Sequence, residues 1–343
     1  MESTEGKACY IIAEISANHN GSLETALEMV RIAKEAGADA VKIQTYTADT
    51  LTLDSDNEYF RIGGGTLWDG TTLYKLYQQA FTPWEWHKAI FAEAKRVGID
   101  CFSTPFDDTA VDFLEQFDPP YYKIASFELN HHPLLAKVAK TGRPVIMSTG
   151  MGTLQDIEES VAVLRANGCK DLTLLKCTSS YPAPASEANL ARIPDMIERF
   201  KVRVGLSDHT LGTTAPVVAV ALGATVIEKH FCRSRKEPGP DSAFSLEPDE
   251  FAEMVRSVRI AEEAVGNVTY DRSAAEEKSI VFRRSIFVAQ DVNAGDVINE
   301  TNVRVVRPGH GLHPKFYTSL MGRRIVKAAA KGTPFTLDLV EKQ

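Results

Sequence analysis

Residues 202–231 read VRVGLSDHTLGTTAPVVAVALGATVIEKHF. Two short runs rich in β-branched residues, at 202–206 and 225–231, flank a helical stretch at 213–222, and each run leads to a histidine, His209 or His230. If the two runs are neighbouring parallel strands, both imidazoles project from the same edge of the sheet, where they would form a metal site or an acid–base site. The alternative is that each histidine caps its strand and bonds a loop carbonyl. The Gly-Pro-Asp turn at 239–241 favours a functional site.

The same alternation of short apolar runs and amphipathic stretches extends outward along the chain. We predict strands at residues 9–16, 39–46, 99–104, 121–126, 144–149, 172–177, 202–206 and 225–231. Helices are predicted at 22–36, 83–97, 108–116, 133–140, 153–166, 187–200, 213–222 and 247–265. Eight such repeats predict a (β/α)8 TIM barrel over residues 1–265. An open doubly wound sheet is the alternative, but GGGT at 63–66 follows no strand and is interpreted as a flexible loop.

The composition changes after the barrel. Residues 266–282 are polar and weakly patterned, which indicates a linker, and residues 283–343 contain short strands broken by Gly and Pro turns. We therefore predict a second, small β-rich domain. At about 60 residues it is close to the lower limit for independent folding, so docking on a partner subunit would stabilise it.

Bulk properties exclude several classes of protein. The 343 residues carry a net charge of −8, which argues against a nucleic-acid partner. The five cysteines form no C-x-x-C pair, and no apolar run approaches the roughly twenty residues of a membrane span. The first residues lack the pattern of a signal peptide. We expect a cytoplasmic enzyme that binds neither nucleic acid nor membrane.

Polar side chains follow every predicted strand, and the active site of such barrels lies at the carboxyl ends of the strands. Lys42 and Lys123 provide two cations there, and Thr104, Ser126, Ser148 and Ser207 provide hydroxyl donors. This set suits a phosphate or carboxylate anion. Alternatively, the lysines pair with Glu14 or Glu128. Lys123 and Lys176 are also candidates for a Schiff-base nucleophile.

The remaining candidates complete a pocket. His209 and His230 could hold a divalent metal ion together with water and substrate oxygens. Glu14 and Asp241 are carboxylates suited to acid–base work or to binding sugar hydroxyls. Trp68, Trp84 and Trp86 follow the second strand, where they could form a lid over the pocket or pack a helix.

Several motifs in order resemble the sialic acid synthase family. They are AEISANHNG (13–21), VKIQTY (41–46), FSTPF (102–106), KIAS (123–126), STG (148–150), CTSSYP (177–182), GLSDHT (205–210), EKHF (228–231) and GPDSAFS (239–245). RPGHG at 307–311 resembles the family's antifreeze-like (SAF, β-clip) domain. Residues 65–77 and 82–87 are similar to the branch that makes pseudaminic acid rather than to the N-acetylneuraminate branch.

The resemblance implies condensation of phosphoenolpyruvate with an N-acetylated amino sugar, assisted by Mn²⁺, Mg²⁺ or Co²⁺. For this branch the sugar would be 2,4-diacetamido-2,4,6-trideoxy-L-altrose. C3 of phosphoenolpyruvate would attack the sugar aldehyde, water would add to C2, and phosphate would leave by C–O cleavage.

The same resemblance implies roles for the candidate residues. His209 and His230 would bind the metal, Glu14 would be the principal acid–base group, and Glu128 would lie near the reacting carbons. The phosphoenolpyruvate ligands would be Lys42, Thr104, Lys123, Ser126, Ser148 and Ser207. Gln44, Tyr181 and Asp241 would line the sugar site. Arg307 would enter the site of a partner subunit in a domain-swapped homodimer.

One position departs from the family pattern, and other functions stay open at this point. Ser179 stands where the family commonly has asparagine, which suits a different sugar. The alternatives are an N-acetylneuraminate or legionaminic acid synthase, a lysine Schiff-base aldolase, and a non-catalytic carbohydrate-binding protein.

Overall fold

The structure is a computed structural model that describes residues 8–65, 67–237 and 239–342. The chain separates into two compact units, with the boundary between Gly266 and Asn267. Thr66, which belongs to the predicted glycine loop and to the 65–77 motif, lies outside the described residues. None of the described helices is long and apolar enough to cross a membrane.

The first unit is built on a closed barrel of parallel strands, eight in number over the described residues. Each strand pairs with the next along the chain, and the last pairs with the first. The strands are β1 (Tyr10–Glu14), β2 (Ala40–Thr45), β3 (Asp100–Pro105), β4 (Tyr122–Ile124), β5 (Val145–Ser148), β6 (Leu172–Cys177), β7 (Arg203–Asp208) and β8 (Val226–His230). Every predicted strand is present, and the predicted TIM barrel is confirmed.

Helices connect the strands and cover the barrel. They are α1 (Leu23–Glu35), α2 (Ala48–Leu51), α3 (Leu73–Ala80), α4 (His87–Val97), α5 (Asp108–Glu115), α6 (His132–Lys140), α7 (Leu154–Ala166), α8 (Arg192–Phe200), α9 (Thr214–Ala221) and α10 (Pro248–Val265). Capping residues begin several of them; the Thr153 and Asp156 side chains, for example, form a capping box on α7. Two helices, α2 and α3, lie in the connection after β2, where the sequence analysis predicted none.

The inner face of the barrel changes character along its axis. Its lower part is filled by a cluster of Ile12, Ala40, Phe102, Ile146, Leu175 and Val226. Side chains two residues further along a strand point to the same face. Val226 is thus followed on the inner face by Glu228 and His230, and Ile12 by Glu14. The core therefore ends where the ionisable side chains begin.

The second unit has its own small core. A helix, α11 (Ala274–Ser279), lies within the predicted linker. The sheet of the second unit is formed by two antiparallel strands, β9 (Ser285–Val288) and β10 (Val303–Val306). A short helix, α12 (Tyr317–Leu320), follows. The core consists of Ile286, Val288, Val292, Ile298, Val303, Leu320, Ile325, Phe335, Leu339 and Val340. This is the small β-rich domain that the sequence predicts.

Candidate active site

Two adjoining cavities open at the carboxyl ends of the barrel strands. The inner one, of about 60 Å³, is lined by Glu14, Lys42, Gln44, Thr104, Lys123, Ser126, Ser148, Tyr181, Ser207, His209 and His230 among others. The outer one, of about 330 Å³, is lined in part by Glu128 and Asp241 and shares Gln44, Tyr181 and His230 with the inner one. Apart from Lys176, Trp84 and Trp86, the candidate residues predicted in the barrel therefore line one or the other of these adjoining cavities. Arg307 lies on the second unit.

Strand register explains this convergence. Glu14 is paired in register with Lys42 on β2 and with His230 on β8. Ser207 on β7 is opposite Glu228 on β8. Because neighbouring parallel strands end at one edge, residues far apart in the chain are brought side by side.

The two imidazoles face each other, with ring centroids 5.3 Å apart. His209 Nδ1 lies 2.9 Å from the carbonyl oxygen of Thr178, a bond that it makes as the donor. Burial lowers the pKa of His209, but the hydrogen bond and charge of Cys177 raise it above its usual range. In the neutral form of the ring, the bond to Thr178 fixes the tautomer and leaves Nε2 with a lone pair. His230 Nδ1 is buried and has no hydrogen-bond partner in the described structure. Burial, followed by the charge of His209, holds the pKa of His230 well below its usual range, so its ring is neutral.

These features fit a divalent metal ion. A ligating imidazole must be neutral, and its second nitrogen normally donates to a carbonyl or carboxylate, as His209 does. The described residues contain no group of three or more His, Cys, Asp or Glu that could hold a metal. The histidine pair would therefore leave several coordination positions to water and substrate oxygens.

The two buried lysines are held by carboxylates and hydroxyls. Lys42 forms an ion pair with Glu14, and its Nζ lies 3.2 Å from Thr104 Oγ1 and 3.9 Å from Glu228 Oε2. Lys123 Nζ donates to Ser148 Oγ at 2.8 Å and lies 3.6 Å from Glu228 Oε1. Two cations with their donors thus converge on a small space, which is the arrangement that an anionic ligand requires.

The two carboxyl groups of this cluster differ in how readily they carry a negative charge. Burial alone would lower the pKa of Lys42, but Glu14 and Glu228 raise it, so this lysine stays charged. Burial raises the pKa of Glu14, and the nearby Glu228 adds to the effect. Glu228 has two cations beside it, Lys123 and Lys42, and these outweigh burial and lower its pKa. Glu14 shares a single ammonium with Glu228 and is therefore the carboxyl that more readily carries a proton.

A hydrogen-bonded chain joins the inner cavity to the outer one. Gln44 Nε2 donates to Glu14 Oε1 at 3.3 Å and to Ser16 Oγ at 3.1 Å. Ser16 donates in turn to the Asp241 carboxylate. Glu128 lies apart from this chain, and burial raises the pKa of its carboxyl to about 7. The outer cavity thus offers two carboxyl groups and an amide to a polyhydroxylated ligand.

Aromatic rings close the space above the imidazoles. The Tyr181 ring is 4.3 Å from His209, 5.2 Å from Phe244 and 5.8 Å from Trp68, measured between centroids. Trp68 Nε1 donates to the Pro240 carbonyl at 3.0 Å, which ties the segment after β2 to the loop after β8.

The structure separates the three tryptophans. Trp68 lines the outer cavity, as a lid residue would. Trp84 packs on Phe113, with centroids 4.5 Å apart, and Trp86 packs on His19. Of the three, only Trp68 is among the described residues that line the outer cavity, and Trp84 and Trp86 pack on other side chains.

Lys176 is not a pocket residue. Its neighbours Leu175 and Cys177 lie on the inner face of β6, so Lys176 lies on the outer face. Its Nζ bonds Thr178 Oγ1 at 2.5 Å and the Cys177 carbonyl at 3.0 Å. Of the two lysines considered for a Schiff base, only Lys123 lines the cavity.

Sequence reasoning left several lining residues out of the candidate set. Glu228 belongs to the EKHF motif, but only the strand register shows that it lies between two lysines. A Cβ on Gly150 would lie 2.8 Å from Ser126 Oγ and 2.2 Å from Ser179 Oγ, so a larger residue there would displace these two hydroxyls. The apolar residues of the outer cavity, on α3 and its flanking loops, also went unrecognised.

A larger cavity, of about 510 Å³, lies at the opposite end of the barrel beside Gly98, Asp100 and Phe117. These residues are at the amino ends of β3 and β4. No paired imidazoles or buried ion pairs line it, so we assign the chemistry to the carboxyl end.

Comparison with known protein families gives two matches, which correspond approximately to the two units. The chain matches the model of the NeuB family over residues 29–270 and that of the SAF domain over residues 283–341. It is 50% identical over 321 residues to a pseudaminic acid synthase of Campylobacter jejuni subsp. jejuni serotype O:23/36 (strain 81-176), covering 94% of this chain and 93% of that protein.

Two further relatives are more distant. Identity is 36% over 325 residues to an N,N'-diacetyllegionaminic acid synthase of Campylobacter jejuni subsp. jejuni serotype O:2, covering 94% of this chain and 97% of that protein. A crystal structure of the N-acetylneuraminic acid (sialic acid) synthetase from Leptospira borgpetersenii serovar Hardjo-bovis superposes with a TM-score of 0.72 at 30% identity. The match covers 80% of this chain and 90% of that chain.

Proposed function

The chain belongs to the NeuB family, and from that premise we propose that it condenses phosphoenolpyruvate with 2,4-diacetamido-2,4,6-trideoxy-L-altrose and water to give pseudaminic acid and phosphate. The observation that carries the proposal is the pair of joined cavities. The inner cavity has the cations for phosphoenolpyruvate, and the outer one has the volume and mixed polarity for an acetamido sugar. The 50% identical relative is a pseudaminic acid synthase, and the sugar assigned is the one that the resemblance implies for that branch of the family.

Phosphoenolpyruvate is proposed to bind in the inner cavity. Its phosphate and carboxylate oxygens would accept hydrogen bonds from Lys42, Lys123 and the hydroxyls of Thr104, Ser126, Ser148 and Ser207. Charge supports this assignment because the two lysines, Lys42 and Lys123, line the inner cavity. A protonated Glu14 would limit the repulsion between the bound trianion and the buried carboxylates.

The sugar is proposed to extend from the imidazoles into the outer cavity. Gln44, Tyr181 and Asp241 would contact its polar groups, and Glu128 would lie beside the reacting carbons. His209 and His230 would hold a divalent ion, Mn²⁺, Mg²⁺ or Co²⁺. When bound there, the ion supplies a Lewis acid that orients and polarises the aldehyde.

The proposed reaction balances with one water. The C3 electrons of phosphoenolpyruvate form a bond to the aldehyde carbon, and the aldehyde oxygen takes up a proton, for which Glu14 is the proposed donor. Water adds to the electron-deficient C2 and loses one proton, which balances the proton taken up by the aldehyde oxygen. The C2–O bond to phosphate then breaks with its electron pair on the bridging oxygen, and the C2 hydroxyl gives its proton to the phosphate as it becomes the ketone. The bridging oxygen leaves with the phosphate, and the new ketone oxygen comes from water.

We further propose that the active form is a domain-swapped homodimer in the cytoplasm. Arg307 on the SAF domain would reach the site of the partner subunit and add a cation there. A reducing compartment is supported by five cysteines, all free and buried in the described structure.

An isotope experiment tests this function. The protein is incubated with the altrose sugar and phosphoenolpyruvate carrying ¹⁸O in the bridging position. The proposal expects a nonulosonic acid of the correct mass together with ¹⁸O-labelled phosphate. Unlabelled phosphate would show P–O cleavage and overturn the mechanism. Borohydride trapping of a covalent adduct on Lys123 would favour the Schiff-base alternative.

A further inference from the structure

The outer cavity has an apolar side that the proposed chemistry does not use. Tyr46, Leu51, Ile62, Leu73, Leu76 and Tyr77 line it, and we call these six residues the apolar wall. All of them come from the connection between β2 and α4. Of the polar lining residues, Gln44 lies on β2, and Ser16 and Glu128 follow β1 and β4. Phe106, Ala125 and Phe127, which follow β3 and β4, line the cavity beside them. The barrel side is therefore mixed in polarity, whereas the lining from this connection is apolar apart from the hydroxyls of Tyr46 and Tyr77 and the indole N–H of Trp68.

Helix α3 supplies half of the wall through an amphipathic pattern. Leu73, Leu76, Tyr77 and Ala80 have the i, i+3, i+4, i+7 spacing of one helix face, and Lys75, Gln78 and Gln79 on the other face are exposed. Such a stripe normally packs into a core. Leu73, Leu76 and Tyr77 nevertheless belong to none of the hydrophobic clusters formed by the described residues. Their apolar surface faces the cavity.

The wall is held in place by local hydrogen bonds. Thr72 caps α3 by accepting from Lys75 N, and the preceding loop closes through Ile62 N to Thr71 O at 2.9 Å. Trp68 Nε1 reaches across to the Pro240 carbonyl. A fixed wall can discriminate between ligands because it does not move aside for a group that fits poorly.

We propose that the apolar wall is the subsite for the C6 methyl end of the sugar, and that it selects 6-deoxy sugars over sugars with a 6-hydroxyl. This inference rests on the proposed function. A sugar whose aldehyde carbon lies at His230, which lines both cavities, directs its far end into the outer one. A 6-hydroxyl facing Leu73 and Leu76 would lose its bonds to water, and neither of these two side chains can replace them.

The expected discrimination follows from the size of the group. A small apolar group in a hydrophobic pocket changes kcat/KM by about 10- to 200-fold, and rejection of an added hydroxyl reaches about 100-fold. The wall senses polarity at C6 and not configuration along the sugar. It therefore accepts any 6-deoxy acetamido sugar, and other residues must set the stereochemical preference.

The test uses two unreactive alditols that differ by one oxygen, 2,4-diacetamido-2,4,6-trideoxy-L-altritol and its 6-hydroxy counterpart. Binding is measured by calorimetry in the presence of phosphoenolpyruvate and Mn²⁺. We expect the trideoxy compound to bind at least 10-fold more tightly to the parent protein. Leu76→Asn, which places an amide in the wall at nearly constant size, should reduce the ratio to about one. Leu76→Met and the opposite-face control Gln79→Ser should keep it.

Each outcome bears on one claim. Equal binding of the two alditols to the parent, or an unchanged ratio in a folded Leu76→Asn protein, overturns the subsite. Absence of turnover of the altrose sugar, with the alditol preference and its loss in Leu76→Asn both observed, overturns the proposed reaction and leaves the subsite standing.

Discussion

Among single residues, the proposed metal site depends on His209 and His230. Their centroids are 5.3 Å apart, and no other described His, Cys, Asp or Glu completes a metal-binding group with them. His230→Ala should therefore abolish turnover and weaken Mn²⁺ binding, with the circular dichroism spectrum retained. Calorimetric titration of Mn²⁺ measures the binding. His131→Ala, at an exposed histidine before α6, is the matched control and should behave as the parent does. Unchanged turnover in His230→Ala would remove the metal-site assignment.

The buried carboxyl of Glu128 should make the free energy of unfolding depend on pH. Burial raises its pKa from 4.5 to about 7, with Lys123 opposing the shift and Tyr77 facing the carboxyl. The folded state therefore holds this proton more tightly than the unfolded state does. The resulting stability is complete below pH 4.5 and is lost as the pH rises through 7. At about 1.4 kcal/mol per pKa unit, the loss is about 3 kcal/mol.

Glu128→Gln removes this dependence. We expect the variant to be about 2–3 kcal/mol more stable than the parent at pH 8.5 and to show little difference at pH 4.5. Urea unfolding followed by tryptophan fluorescence measures the barrel unit, since Trp68, Trp84 and Trp86 all lie in it. Glu263→Gln, at an exposed glutamate of α10, is the control. A parent whose stability is the same at both values of pH would contradict the buried-carboxyl assignment.

At the scale of elements, the close approach of β7 and β8 positions both imidazoles. A Cβ on Gly205 would lie 2.3 Å from Val226 O and 2.7 Å from Leu175 Cδ2. In Gly205→Ala the new methyl group would have to displace the backbone at Val226, which cannot move aside as a flexible side chain can. We therefore expect a loss of about 3 kcal/mol in the free energy of unfolding. Gly63→Ala is the control, because nothing lies within 4 Å of its Cβ position. Equal unfolding midpoints in urea for the two variants would show that β7 can move without cost.

The sequence predicted the strands better than it predicted the connection after β2. Buried parallel strands are continuous apolar runs, and several of them are followed by a capped helix, so their pattern is local and readable. Helix α3 was missed although Leu73, Leu76 and Tyr77 have helical spacing. Its stripe faces a cavity rather than the core, and the glycines before it predict a loop. The position of Glu228 between two lysines depends on the register between neighbouring strands, and the sequence of a single strand does not reveal that register.

At the scale of the whole molecule, the proposed dimer has a direct test. Arg307→Ala and His209→Ala should each be inactive. In a reassorted equal mixture, half of the dimers are mixed, and each contains one site with an intact barrel and a partner's arginine. About a quarter of the parental activity should return. Mixed dimers that form but stay inactive would show that Arg307 acts within its own subunit or not at all.

The family could be predicted from the sequence because its motifs lie in order along nearly the whole chain. The match to the family model over residues 29–270 agrees with them. The sugar was less accessible. It depends on how apolar and polar side chains divide one cavity, and this division arises only when the segment after β2 packs over the barrel.

The most direct test of the central claim is phosphate release from phosphoenolpyruvate with Mn²⁺, with the trideoxy-diacetamido altrose and N-acetylmannosamine offered in parallel, each with and without EDTA. We expect phosphate release with the altrose sugar alone, lost on adding EDTA and restored by excess Mn²⁺. Preferential turnover of N-acetylmannosamine would contradict the assigned sugar, and full activity in EDTA would contradict the role of the two histidines.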